Sequence, residues 1–178
     1  VVMGPERKSR LISDEEKRII AYHEAGHAVA MNAIPEADPV QKITIVGRGQ
    51  AGGLTWNRPD DDRILMSRKK MNAALVGLLG GRVAEELVFD DVTSGASSDI
   101  ERVTQLARTM VTRLGMSSEM GPMIYGQKEE LIFLGREISE QRDYSEAVAE
   151  KIDAEVRKIV DESYKTTRKL LTKYRKEL

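Results

Sequence analysis

The spacing of apolar and polar residues divides this chain into amphipathic helices and one short pair of strands. Ser13 and Glu16 form a capping box before a periodic apolar segment, so the first helix is predicted over 14–33. An alternating, β-branched stretch at 42–46 and a short run at 54–56 predict two strands joined by a glycine-rich connection. Together these signals predict a mainly α domain that contains a small β-hairpin.

The predicted hairpin allows two interpretations. It either covers one end of the core or offers an exposed strand edge on which an extended peptide pairs as an added strand. The sequence favours neither.

Helical periodicity returns over 62–89, behind three aspartates at 60–62 that are predicted to cap the helix. Gly77, Gly80 and Gly81 interrupt this segment. Since glycine is unfavourable inside a helix, they indicate either close packing against another helix or a break into two helices.

Two more helical regions are predicted in the second half of the chain. Ser98 and Glu101 form a second capping box, so a helix is predicted over about 99–114, where Gly115 ends it. The segment 143–177 carries an apolar stripe between Lys and Glu positions. It predicts one long amphipathic helix or a helix pair.

Composition limits the classes of function. The chain has 178 residues, and its net charge of −1 supplies no basic field for nucleic acid. The absence of cysteine from the sequence excludes disulfides and thiolate metal ligands. The longest apolar run, 73–79, is too short to cross a bilayer, and no P-loop pattern for a nucleotide occurs.

The first residues of the chain predict a linker to another part of a longer protein. Residues 1–12 are polar and basic, so they are interpreted as a linker or arm, and 13–178 as the folded domain. Because the first residue is valine, we expect the chain to be an excised or processed piece.

The chemistry is concentrated in the run His23-Glu24-Ala25-Gly26-His27, which has the pattern H-E-x-x-H. Residues four apart share one face of a helix, so both imidazoles can bind one metal ion. Glu24 lies beside that face, where its carboxylate can act on a metal-bound water. The alternative is a solvated helix with exposed histidines. A glycine inside the helix argues against that alternative, because it indicates that something approaches the backbone closely.

The sequence leaves the third ligand open. A catalytic zinc site takes three protein ligands and one open position. The chain has only two histidines and no cysteine, so a carboxylate is predicted to complete the set. Glu85 and Glu86 are candidates on the 62–89 segment, and Asp99 is a candidate after a small-residue loop. Spacing does not decide between them.

Several spaced segments together resemble one family. The HEAGH run, the stretch Gly81-Arg82-Val83-Ala84-Glu85-Glu86 and the loop at 93–100 occur in this order, after a lead-in at 3–9. They closely resemble the protease domain of FtsH-type ATP-dependent zinc metalloproteases, over nearly the whole chain.

The resemblance implies a complete site. One catalytic zinc ion is expected to be bound by His23, His27 and Asp99. Glu24 is expected to be the catalytic base, and Glu85 is expected near the site without binding the metal.

The resemblance also implies a larger assembly. The domain is expected to be mostly helical and, in the full-length protein, to form a homohexameric ring below an ATPase ring that unfolds substrates. The expected function is zinc-dependent endopeptidase activity on unfolded or misfolded membrane and soluble proteins. The expected location is the cytoplasmic side of the bacterial inner membrane, or its equivalent in an organelle. ATP and the membrane anchor are expected to belong to segments absent from this chain.

Two alternatives remain at the level of sequence. A non-catalytic structural metal site on a pseudoenzyme scaffold has no need of a base, so Glu24 argues against it. A stand-alone zinc peptidase is the other alternative, and the linker-like start argues against that one.

Overall fold

The computed structural model describes residues 13–46, 53–57, 65–126 and 144–178. Its elements are helix α1 (Asp14–Asn32), strands β1 (Val40–Thr44) and β2 (Leu54–Asn57), helix α2 (Arg68–Phe89), a 3₁₀ turn (Ser94–Ala96), helix α3 (Ser97–Thr112) and helix α4 (Glu146–Lys173). The predicted mainly α fold with a small hairpin and a long C-terminal helix is confirmed. The predicted linker, most of the glycine-rich connection and the aspartates at 60–62 lie outside the described residues.

Helix α1 begins where the local sequence predicts. Ser13 Oγ accepts a hydrogen bond from the Glu16 amide at 3.2 Å, and Glu16 Oε2 accepts one from the Ser13 amide at 3.1 Å. This reciprocal pair is the predicted capping box. Because its contacts are only three residues apart, local sequence alone fixes the start of the helix that carries the motif.

The two strands pair antiparallel and pack against α1. The register places Ile43 opposite Thr55 and Thr44 opposite Leu54. The hairpin therefore covers part of the motif helix, as the first interpretation of these strands expects. Pairing of an extended peptide with a strand edge stays a prediction.

Helix α2 is one continuous helix that begins later than predicted. Residues 65–67 are not helical, and Ser67 is the N-cap, with its Oγ accepting from the Lys70 amide at 3.2 Å. The aspartates at 60–62, predicted as caps, lie outside the described residues. A serine close to the first helical turn provides the cap instead.

The glycines of α2 allow it to approach α1 closely. A Cβ added to Gly26 would lie 2.3 Å from the carbonyl oxygen of Gly80 and 2.5 Å from Ala84 Cβ. A Cβ added to Gly80 would lie 2.5 Å from the carbonyl oxygen of Gly26. Close packing is thus the correct interpretation of the glycine pattern, and a break into two helices is wrong.

Helices α3 and α4 differ from their predicted bounds. Ser98 lies inside α3, so its predicted capping box with Glu101 is wrong. The chain enters α3 through the 3₁₀ turn, where Thr93 Oγ1 accepts from the Gly95 amide at 3.1 Å. Helix α3 ends at Thr112, and α4 is a single helix, so the helix-pair alternative is wrong.

The described residues form two compact units. The first comprises those within Val1–Val103 and Asp161–Leu178, and its main apolar cluster is Ala30, Val76, Val83, Ala84 and Leu171. The second lies within Thr104–Val160, and its buried apolar side chains are Ala107, Met110, Val111, Met120, Ile152 and Val156. Among the described helices, none is long and apolar enough to cross a bilayer. All residues of the predicted site lie in the first unit.

Candidate metal centre

Helix α2 holds both imidazoles of the motif. His23 Nδ1 donates to Glu85 Oε1 at 2.6 Å, and His27 Nδ1 donates to the carbonyl oxygen of Gly77 at 2.8 Å. Since Nδ1 carries the proton in each neutral ring, each Nε2 keeps its lone pair. Both Nε2 atoms are therefore presented as ligands.

Asp99, in the first turn of α3, completes a triangle of ligand atoms. The two Nε2 atoms lie 3.1 Å apart, and Asp99 Oδ2 lies 3.3 Å from each of them. Ligands about 2.0–2.1 Å from a tetrahedral zinc ion lie about 3.3–3.4 Å from one another. The triangle has that size, so His23, His27 and Asp99 fit three ligands of a tetrahedral zinc ion with one position open.

The electrostatics of this triangle favour a positive charge at its centre. Burial lowers the pKa of His23, but hydrogen bonds and negative charge from Asp99 and Glu85 outweigh it and raise the pKa to about 9. Burial raises the pKa of Asp99, but both imidazoles outweigh it and hold the pKa well below its usual range. The raised pKa of His23 and the lowered pKa of Asp99 both indicate that this triangle stabilises positive charge, whether a proton or a bound cation supplies it.

Glycines of α2 create the space for this arrangement. A Cβ on Gly81 would lie 2.5 Å from both Cε1 and Nε2 of His23, and a Cβ on Gly80 would lie 2.8 Å from the Cα of His27. A larger residue at Gly80 would push α1 away from α2, and one at Gly81 would displace the His23 ring. The packing of the helices and the geometry of the site therefore depend on the same glycines.

Glu24 lies beside the histidines and under strand β2. Its side chain is largely buried, and its Oε2 accepts a hydrogen bond from Thr55 Oγ1 at 2.7 Å. Gly53, just before β2, lies against the other oxygen, because a Cβ added there would be 2.6 Å from Glu24 Oε1. The hairpin thus contacts both oxygens of this carboxylate.

Glu85 and Glu86, the other candidate ligands predicted from the sequence, make different contacts. Glu85 is 1% exposed, and its Oε2 accepts from the Thr93 amide at 2.7 Å while its Oε1 contacts His23. Glu86 accepts from Tyr164 in α4 and pairs with Arg82 at 3.2 Å. Glu85 therefore orients a histidine, and Glu86 connects α2 to the C-terminal half of α4.

Comparison with known proteins assigns the chain to a family. A sequence profile of Peptidase family M41 matches residues 10–178. The chain belongs to Peptidase family M41. A curated relative from Thermotoga maritima, named ATP-dependent zinc metalloprotease FtsH, is 55% identical over 100% of this chain and 29% of its own length.

Other M41 relatives have the same name and a similar extent. ATP-dependent zinc metalloprotease FtsH 1 of Thermomicrobium roseum is 55% identical over 96% of this chain and 26% of its own length. The protein of Rubrobacter xylanophilus, named ATP-dependent zinc metalloprotease FtsH, is 53% identical over 100% of this chain and 27% of its own length. The chain thus spans less than a third of the curated relatives that it matches.

Some groups of this M41 site were not predicted from sequence. The Gly77 carbonyl and the Thr93 amide are backbone groups, and no residue type marks a backbone group as a partner for a buried side chain. Thr55 was predicted only as part of a strand. Its contact with Glu24 joins residues 31 positions apart, which local patterns do not reveal.

Proposed function

We propose that this chain is a zinc endopeptidase domain in which His23, His27 and Asp99 bind one catalytic ion and Glu24 is the catalytic base. The observation that carries the proposal is the triangle of Nε2, Nε2 and Oδ2 atoms, with edges of 3.1–3.3 Å, beside a buried glutamate. Membership of Peptidase family M41 supports the same reaction class. The domain 13–178 would contain the complete site.

The residues of the chain divide the work of peptide-bond hydrolysis. When bound, zinc lowers the pKa of a water ligand to about 7 and polarises the scissile carbonyl. Glu24 takes a proton from the attacking water and delivers it to the leaving amine. Glu85 and the Gly77 carbonyl hold the two imidazoles in the tautomer that directs Nε2 to the metal.

The longer relatives supply the proposed context. Their printed name describes an ATP-dependent zinc metalloprotease, and this chain matches less than a third of their length. We propose that the full-length protein is a membrane-anchored homohexamer and that ATP acts in a segment outside this chain. Its substrates would be unfolded or misfolded membrane and soluble proteins, cleaved on the cytoplasmic side of the membrane. Residues 1–12 would be the connection to the ATPase.

Two substitutions test the proposed roles separately. Glu24→Gln removes the base but no ligand, so the variant should bind zinc as the wild type does while casein cleavage falls about 10²- to 10⁴-fold. Asp99→Ala removes a ligand, so both zinc and activity should be lost. Metal content by mass spectrometry and cleavage of casein by the purified chain are the two measurements.

The controls separate the competing assignments. Glu101→Ala removes an exposed carboxylate from the same helix as Asp99, so it should leave zinc content and cleavage unchanged. Full activity in Glu24→Gln would contradict the assignment of the base. Zinc bound by a wild-type chain that cleaves nothing would instead support a structural metal site.

A further inference from the structure

The hairpin contacts the proposed base through two residues that local patterns did not mark. Thr55 Oγ1 lies 2.7 Å from Glu24 Oε2 and 3.0 Å from the Glu24 carbonyl oxygen. A threonine hydroxyl has one proton to donate. Inside a helix the carbonyl oxygen already accepts an amide hydrogen bond, so the shorter contact with the charged carboxylate is the favoured one.

This hydrogen bond engages one of the two carboxylate oxygens of Glu24. Within the described residues, Thr55 Oγ1 supplies the only hydrogen bond that the Glu24 carboxylate accepts. At the other oxygen, Gly53 presents no side chain, and a Cβ there would lie 2.6 Å from Oε1 and 2.7 Å from Glu24 Cγ. Gly53 therefore packs against Oε1 without a side chain of its own, while Thr55 holds Oε2.

A general base requires this kind of support. A glutamate side chain has several rotatable bonds, and it reacts only when its oxygen lies within hydrogen-bond reach of the proton that it takes. A misplacement of about 1 Å can reduce a rate by about 100-fold. Since strand β2 is paired with β1 and packs on α1, it provides a fixed position for the threonine hydroxyl.

We propose that Thr55 is a positioning residue for the proposed base: its hydroxyl anchors Glu24 Oε2 and leaves Oε1 to take the proton from the attacking water. The inference rests on the proposed function of Glu24. It gives the hairpin a role in the reaction that is separate from covering the core.

The test compares three substitutions in the zinc-loaded chain. Thr55→Val keeps the shape and strand preference but removes the hydroxyl, and Thr55→Ser keeps the hydroxyl. Thr44→Val makes the same replacement in β1, where Thr44 Oγ1 accepts from the Val46 amide at 3.1 Å. With a quenched fluorescent unstructured peptide as substrate, kcat and KM are measured separately, together with zinc content and the thermal midpoint.

We expect kcat of Thr55→Val to fall about 10- to 100-fold, because the carboxylate loses its anchor. KM, zinc content and the thermal midpoint should stay near the wild-type values, since neither the ligands nor the strand pairing changes. Thr55→Ser should recover kcat to within about threefold of wild type, and Thr44→Val should match wild type. A merely structural role would lower the thermal midpoint and would not be rescued by serine.

Crystal structures of the variants provide a readout that does not need activity. The Glu24 carboxylate should leave its position in Thr55→Val and keep it in Thr55→Ser. An unmoved carboxylate in Thr55→Val, or a kcat within about twofold of wild type, would overturn the inference. If Glu24→Gln is as active as wild type, the proposed function fails, yet the two crystal structures still decide whether Thr55 positions Glu24.

Discussion

The crossing of α1 and α2 at Gly26 and Gly80 offers the sharpest test of the relation between packing and the site. Gly26→Ala adds one methyl group where the other helix leaves no room. The nearest atoms would be the Gly80 carbonyl oxygen at 2.3 Å and Ala84 Cβ at 2.5 Å. Neither atom lies on a side chain that can rotate away, so the helices must move apart.

The loss of stability can be estimated from the size of the clash. An ordinary contact of a Cβ is 3.4 Å or more, so the helices must separate by about 1 Å. Overpacking of this kind costs up to about 3 kcal/mol. Alanine returns about 1 kcal/mol through its better helix propensity. We therefore expect the free energy of unfolding to fall by about 2 kcal/mol and the melting temperature to fall by about 4–8 °C.

The same displacement reaches the metal site. The 2.6 Å hydrogen bond between His23 Nδ1 and Glu85 Oε1 would lengthen to about 3.6 Å, beyond hydrogen-bonding distance. Loss of such a partner lowers metal affinity by about tenfold or more. Zinc affinity is measured by competition with a chromophoric chelator, and melting is followed by circular dichroism without metal, because bound zinc would add its own stabilisation.

A second glycine provides the control. A Cβ on Gly77 would meet Met31 Cγ at 2.9 Å, but the methionine side chain is flexible and can move. Gly77→Ala should therefore be neutral or stabilising by up to about 1 kcal/mol. If Gly26→Ala melts at or above the wild-type temperature without metal, the reasoning about the helix crossing is refuted.

Two further substitutions probe the histidine support and the core. Glu85→Ala removes the acceptor for both His23 Nδ1 and the Thr93 amide. Zinc affinity, measured by equilibrium dialysis, should therefore fall about 10- to 100-fold while some zinc binding remains. Loss of all zinc binding would instead indicate that Glu85 is a metal ligand. Leu171→Ala truncates a fully buried side chain in the apolar cluster of the first unit, so denaturant unfolding should show a loss of about 2–5 kcal/mol. A loss below about 1 kcal/mol would show that the cluster repacks around the cavity.

Sequence predicts those parts of the fold that depend on neighbouring residues. The capping box of Ser13 and Glu16 is a contact across three positions, and its prediction is confirmed. The box of Ser98 and Glu101 has the same pattern, but the preceding turn continues into α3 and takes both residues into the helix. A capping pattern therefore indicates that a helix begins nearby, while the path of the preceding chain decides at which residue.

The candidate site also has one part that local sequence predicts and another that depends on tertiary packing. The H-E-x-x-H spacing places His23 and His27 on one helical face without any tertiary information. The choice between Glu85 and Asp99 depends on how α2 and α3 approach α1, and no spacing in the sequence encodes that approach. The glycines of α2 were the useful signal, because they indicated close contact, although not with which helix.

The residues that meet at the triangle are far apart along the chain, and this separation affects when the metal site can form during folding. His23 contacts groups 62 and 76 positions further along the chain. Contacts of that range form only after the intervening chain has folded back. An unfolded or partly synthesised chain would hold only the weak two-histidine half of the centre, and metal binding would be coupled to folding. The proposed activity would therefore appear only after folding has brought the three ligands together.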